Sequence, residues 1–107
     1  MDRPTPRVNA ARLAQTATGK TVRLIGEVVT TDSSQVVLKA SDGGQVKVNH
    51  NSMNTFSDTF VEVIGKVVDT DTISELSSIM LGSSVDMNAV EKMVELTHQY
   101  PDVFPSE

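Results

Sequence analysis

The side chains of this sequence best suited to holding a polyanion are Arg23, Lys39, Lys47 and His50, with Phe56 the nearest ring. Single-stranded nucleic acid is gripped by cations along its backbone and by rings on which bases stack, each stack contributing about 1–3 kcal/mol. The supply of rings is small: one Tyr, three Phe and no Trp. Asp32, Asp42 and Asp58 stand in the neighbouring turns and would repel phosphates. The residues therefore fit either a modest nucleic-acid contact or a solvated polar surface.

Other chemistries lack their residues. There are two histidines, His50 and His98, and no cysteine, too few soft ligands for a zinc site. Asp69 and Asp71 resemble the opening of a calcium loop, but its glycine and closing bidentate acid are missing, so they read as turn residues. Gly43-Gly44 lacks the lysine and Ser/Thr of a phosphate loop. No Ser-His-Asp set or carboxylate pair stands out. The expectation is no catalytic residue, no metal, no cofactor and no enzymatic activity.

At 107 residues the chain is expected to form one domain with its own core. Without cysteine there is no disulfide or thiol nucleophile. No apolar run approaches the roughly 18 residues of a membrane span, and MDRPTPRVNAARLAQ has no apolar signal core. The net charge of −5 argues against strong autonomous phosphate binding. The charge is uneven, however. Arg3, Arg7, Arg12, Lys20 and Arg23 meet only Asp2 in the first 23 residues, and acids dominate the rest.

These residues need strands and helices to position them. Pro4 and Pro6 mark residues 1–8 as an extended arm. Asn9 is placed to cap a short helix reaching Thr16, with Ala10, Leu13, Ala14 and Ala17 on its apolar side. β-Branched stretches predict strands at 21–31, 35–40, 45–48 or 45–50, 60–69 and 72–81. Ser41-Asp42-Gly43-Gly44 suits a hairpin connection. Residues 51–59 lack strand alternation and are expected to form a loop.

VRLIGEVV (22–29) and VEVIGKVV (61–68) share one frame, with Gly26 and Gly65 in mid-strand. Glycine is tolerated there where a strand bends or bulges, as at a barrel corner. Apolar residues lie on both faces near the glycine: Leu24 and Val28 on one, Ile25 and Val29 on the other. A strand bending across two sheets needs this. Five strands, two bent at glycine, predict an all-β barrel of the oligonucleotide/oligosaccharide-binding (OB) type with helical additions. An open five-stranded sheet is the alternative. In an OB barrel the second and third strands and their loops form the usual binding surface, which nominates Arg23, Lys39, Lys47, His50 and Phe56.

The one long helical pattern is Val85 to Tyr100. Asp86 is placed as its N-cap, Val85 as a staple onto Val90, and Pro101 as its stop. At about 100° per residue, Met87, Ala89, Val90, Met93, Val94, Leu96, Thr97 and Tyr100 fall on one half of the circle. Asn88, Glu91, Lys92, Glu95, His98 and Gln99 fall on the other. A helix packed on one surface needs an apolar stripe of about 100° or slightly more. This one has nearly twice that. It is either laid deep against its own domain or shared with another chain, and the width favours sharing. His98 is expected to interact with the helix dipole.

PRVNAARLAQ, KTVRLIGEV, SDGGQVKV, VEVIGKV and HQYPDVFP, in this order over nearly the whole chain, resemble the small-subunit family of eukaryotic replication protein A in a fungal form. The resemblance implies an OB barrel whose C-terminal helix joins helices of the middle and large subunits in a three-helix bundle. It implies a nuclear heterotrimer that binds single-stranded DNA in replication, repair and recombination, with this subunit mainly structural. The expected organisation is an arm at 1–8, a barrel at 9–82, and an oligomerisation helix with tail at 83–107. Met87, Val90, Met93, Val94, Thr97 and Tyr100 are the expected partner contacts. An autonomous weak binder of single strands and the small subunit of a related telomere-capping complex remain the alternatives.

Overall fold

The structure, a computed structural model, describes residues 6–31, 34–50 and 59–99. Helix α1 spans Ala10–Ala14, and five strands follow: β1 Thr21–Thr31, β2 Gln35–Ala40, β3 Gln45–Asn49, β4 Phe60–Asp69 and β5 Thr72–Gly82. Helix α2 spans Met87–Gln99. The strands close into a barrel in the order β1-β2-β3-β5-β4. All neighbours are antiparallel except β3 and β5, which run parallel where Lys47–Asn49 meet Thr72–Ser74. This is the expected closed OB barrel. The expected loop at 51–59 falls, but for Thr59, outside the described residues.

Alternation builds the interior. Val22 and Leu24 of β1, Val36 and Leu38 of β2, Val46 and Val48 of β3, Val61 and Val63 of β4, and Ile73 of β5 are all fully buried. A strand places every second side chain on the same face, so a run of β-branched residues fills a closed barrel from all sides. Leu13 of α1 and Val8 complete this core.

The two mid-strand glycines do what their position predicts. At Gly26 and Glu27, β1 is paired on both sides (Gly26 opposite Val61 of β4 and Ala40 of β2), and beyond them it continues along β2. A Cβ at Gly26 would lie 2.9 Å from that of Leu38. At Gly65 a register shift bends β4 against β5, and a Cβ would lie 2.3 Å from the Ser74 carbonyl oxygen. Both strands turn a barrel corner where a side chain would force the neighbouring strand to shift, against the Leu38 Cβ at Gly26 and against backbone at Gly65. The second apolar pair near Gly26 does not join the core: Ile25 is half-buried and Val29 exposed at another register shift.

At the N-terminus, the described part of the expected extended arm lies along the barrel, and helix α1 is shorter than expected. Pro6 O accepts from the Arg23 N–H and the Val8 N–H donates to Arg23 O, both at 2.8 Å, so residues 6–8 run parallel to β1 and Val8 is buried. Helix α1 ends at Ala14, short of Thr16, which leaves Ala14 and Ala17 exposed. Its cap is as expected, since Asn9 Oδ1 accepts from the Arg12 N–H at 2.9 Å. Asp42 of the β2–β3 hairpin accepts from the N–H groups of Ala10 (3.3 Å) and Ala11 (3.0 Å). Gly44 lets that hairpin close on α1, because a Cβ there would lie 2.4 Å from the Cβ of Ala10.

Candidate assembly surface and the outer face of β2 and β3

Helix α2 starts as its sequence predicts. Asp86 Oδ1 accepts from the N–H groups of Asn88 (3.0 Å) and Ala89 (3.2 Å), and Val90 N–H donates to Asp86 O at 3.1 Å. These bonds satisfy donors that the first turn leaves open.

The rotation of α2 about its axis divides its apolar half between the chain itself and the outside. Val90 and Val94, expected to face partners, are taken up by the chain itself: they are only 8% and 1% exposed. Glu91, Glu95 and His98, from the polar half, also turn inward and find partners. Asn9 Nδ2 donates to Glu91 Oε1 (3.0 Å), Glu91 Oε2 (3.1 Å) and Glu95 Oε2 (3.2 Å). Arg12 Nη2 donates to Glu95 Oε1 at 2.8 Å, and Ser41 Oγ donates to Glu91 Oε1 at 2.7 Å. His98 Nε2 lies 3.0 Å from the Arg7 carbonyl oxygen and donates to it, since a carbonyl only accepts. The expected helix-dipole role of His98 is thus joined by a specific tether.

On the helical wheel, the docked side is centred about a quarter-turn from the middle of the apolar half. The other edge of that half faces outward: Ala89 is exposed and Leu96 is 43% exposed. Met93 is half-buried between the two, and Met87 walls a cleft of about 330 Å³ beside the β2–β3 hairpin. The Thr97 side chain and Tyr100 lie outside the described residues.

The electrostatics of the junction follow from these bonds. The hydrogen bond from Arg12 holds the Glu95 carboxyl below its ordinary 4.5 against the opposing effect of burial, and Asn9 and His98 act in the same direction as Arg12. The same bond raises Arg12. Arg7 pairs with the nearly buried Glu62 of β4 at 3.2 Å. Two of the basic residues at the front of the chain therefore serve internal pairs.

The residues nominated for nucleic acid are not brought together. Lys39 and Lys47 are exposed on the outer face of β2 and β3, opposite Gln45 and Val37. Lys39 also stands opposite Glu27 of β1, and the Lys47 N–H donates to Asp71 O at 2.8 Å. Arg23 lies elsewhere, between residues 6–8 and β4, and its buried Nε has no hydrogen-bond partner among the described residues. His50 is half-buried just past β3, its N–H donating to Ser34 O. Phe56 lies outside the described residues. Among the described residues no cluster of three or more His, Cys, Asp or Glu could hold a metal ion, and no helix is long and apolar enough to cross a membrane.

Sequence reasoning missed Asn9, Arg12 and Ser41 as parts of the helix-holding site. Asn9 was visible only as a cap. The acids it meets are 82 and 86 positions away, and no local pattern signals that distance.

A closed five-stranded barrel with a C-terminal helix clamped along one edge defines an OB-fold subunit that presents a helix. The replication factor A protein 3 family model matches residues 1–104. The chain belongs to that family. It is 29% identical over 105 residues to replication factor A protein 3 of Schizosaccharomyces pombe, covering 97% of this chain and 98% of the relative. A chain in the structure of Ustilago maydis replication protein A bound to single-stranded DNA is similar at 31% identity and a TM-score of 0.88, over 97% of this chain and 98% of that one. The Schizosaccharomyces pombe Stn1–Ten1 complex contains a chain with a TM-score of 0.77 at 10% identity, over 92% and 96% of the two chains. That likeness is one of fold alone.

Proposed function

We propose that this chain is the small structural subunit of a heterotrimeric single-stranded-DNA-binding complex of the replication protein A type. It acts in DNA replication, repair and recombination in the nucleus, and it performs no turnover. Residues 9–82 form its barrel and residues 83–107 its assembly segment, with residues 6–8 strapped to the barrel. Helix α2 completes a three-helix bundle with the middle and large subunits, and DNA is bound through the complex.

One observation carries this reading. Helix α2 is held by one edge of its apolar half and leaves Ala89 and Leu96 exposed on the other. A helix serving only its own barrel would centre its apolar half on that barrel. Family membership favours this assembly over the telomere-capping one, with which only the fold is shared. An autonomous nucleic-acid binder is disfavoured by the separation of Arg23 from Lys39 and Lys47 and by the acids beside the two lysines.

Leu96→Asp tests the reading, because it places an unpaired charge on the outward stripe and leaves the docked edge alone. Burying such a charge in an apolar interface costs several kcal/mol, so affinity for the middle subunit should fall more than about tenfold. The variant chain should fold as the parent does. Co-purification of Leu96→Asp with the middle subunit at parental yield and affinity would refute the assignment.

A further inference from the structure

We infer that Asn9 is the positioning residue that fixes the rotation of α2, and so selects which stripe of the helix is offered to a partner helix. The inference rests on the reading of α2 as the assembly element and adds a control that lies in the N-terminal strap.

The apolar contact of Val90 and Val94 attracts α2 to the barrel, but apolar attraction is non-directional. It leaves a helix with a broad apolar half free to roll. Directional bonds must set the angle. Those the structure describes come from Asn9, Arg12, Ser41 and the Arg7 carbonyl oxygen, and of these groups Asn9 is the one bonded to both Glu91 and Glu95. Its side chain is placed without slack. The residue is 2% exposed, and the flanking segment is hydrogen-bonded to β1 through Pro6 and Val8. Its Oδ1 is committed to the cap of α1 at Arg12 N, 2.9 Å away. Its Nδ2 therefore points at Glu91 and Glu95, 3.0–3.2 Å from three of their carboxylate oxygens.

The residue type is what this geometry demands. Ser, Thr and Asp cap helices as Asn does. An amide alone accepts at one atom while donating two hydrogens at another. Asp would turn a third carboxylate toward Glu91 and Glu95. Those acids are already a like-charged i,i+4 pair, an arrangement that weakens a helix. Asn9 and Arg12 gather the two carboxylates from one side, and Ser41 takes the remaining direction at Glu91. The same amide thus couples the start of α1 to the pose of α2, and Ala89 and Leu96 face outward as a result.

Asn9→Asp tests this with almost no change of shape. It keeps the acceptor that caps α1 and replaces the donor with a negative oxygen. The full chain should keep its barrel amides protected from hydrogen exchange and lose protection along α2. Affinity for the middle subunit should fall at least about tenfold. Adding Glu91→Gln supplies an amide that donates to the carboxylate introduced by Asn9→Asp, and should restore both readouts toward the parent. Asn9→Ser, which keeps a cap and removes the donor without adding charge, should give an intermediate loss and serves if Asn9→Asp does not fold. Parental α2 protection and affinity in Asn9→Asp, or in Asn9→Ser where that variant serves, would overturn the inference, as would an Asn9→Asp loss that Glu91→Gln fails to relieve. Leu96→Asp separates the two claims. If it assembles normally, the reading of α2 has failed. If it blocks assembly and the Asn9 variants do not, only the role of Asn9 has failed.

Discussion

Charged residues occupy two regions of this molecule in different ways. On the outer face of β2 and β3, Lys39 and Lys47 project from strands into solvent beside Glu27 and Asp71. At the junction of α1 and α2, Asn9, Arg12, Ser41, Glu91 and Glu95 form one connected set spanning three elements. Solvated charges of mixed sign contribute little to stability or to phosphate binding. A connected, partly buried set fixes an orientation. The familiar binding surface of the fold is therefore the quieter region here, and the helix junction is where the chain specifies a geometry.

The most severe way to break this contrast is to attack the apolar floor beneath the junction. Val94→Asp buries a charge at a position with 1% exposure. An unpaired buried charge costs several kcal/mol. Helix α2 should leave the barrel, and assembly should fail because the helix is misplaced. This revises the simpler expectation that such a change strikes the partner surface directly. The matched change on the other region, Val37→Asp on the half-buried outer side of β2, should cost less than about 1 kcal/mol. Hydrogen exchange and thermal denaturation of the two variants compare the regions. Equal losses would mean that α2 is not held as described.

A gentler probe is pH. The carboxyl of Glu95 titrates below its ordinary 4.5 in the folded chain because Arg12 donates to it. The unfolded chain therefore binds the proton first as pH falls. The stabilisation is present above the ordinary carboxylate range and is lost as pH drops through the lowered folded value. Both side chains of the pair are about one-third exposed, so the effect is bounded by the roughly 0.2–1 kcal/mol of a solvated pair and weakens with salt. Protection of α2 amides should decline below about pH 4.5, and Arg12→Met should flatten that decline. An unchanged decline in Arg12→Met would assign it to other acids.

How much of this was legible beforehand depends on the distance over which each signal acts. The strands were readable because alternation and β-branching are local, and Gly26 and Gly65 marked their own corners. The boundaries of β1, β2 and β4 matched the pattern. The burial of Val8 was not legible, because a single parallel bridge, Arg7 to Arg23, leaves no periodicity. Leu76 follows the same logic, standing exposed where the shift between Ile64 and Gly65 interrupts alternation. For α2, the sequence announced a helix with too much apolar surface for one partner. It could not announce the rotation, because the groups that bond to α2, which are Asn9, Arg12, Ser41 and the Arg7 carbonyl oxygen, come from segments far away in sequence. The junction's hydrogen bonds go to Glu91, Glu95 and His98, which lie on the half of the wheel that reads as polar.

The smallest expected effect sharpens the comparison from the other side. If the outer face of β2 and β3 holds no phosphate, Lys39→Gln with Lys47→Gln should change the affinity of the assembled complex for a short single strand by less than about twofold. The salt dependence discriminates better than the affinity. Each phosphate neutralised contributes about 0.7 to the slope of log affinity against log salt for single strands. Two lysines in contact would therefore lower the slope by about 1.4, well outside measurement error. The geometry argues for no change. Lys39 faces Glu27 across β1 and β2, the backbone at Lys47 is bonded to Asp71, and Arg23 lies further along β1, where its neighbours are residues 6–8 and β4 rather than β2. A slope that falls in the double variant would place DNA on this face and make the quieter region a working one. An unchanged slope would leave the small subunit touching DNA, if at all, through other residues, with the helix junction as its principal contribution to the complex.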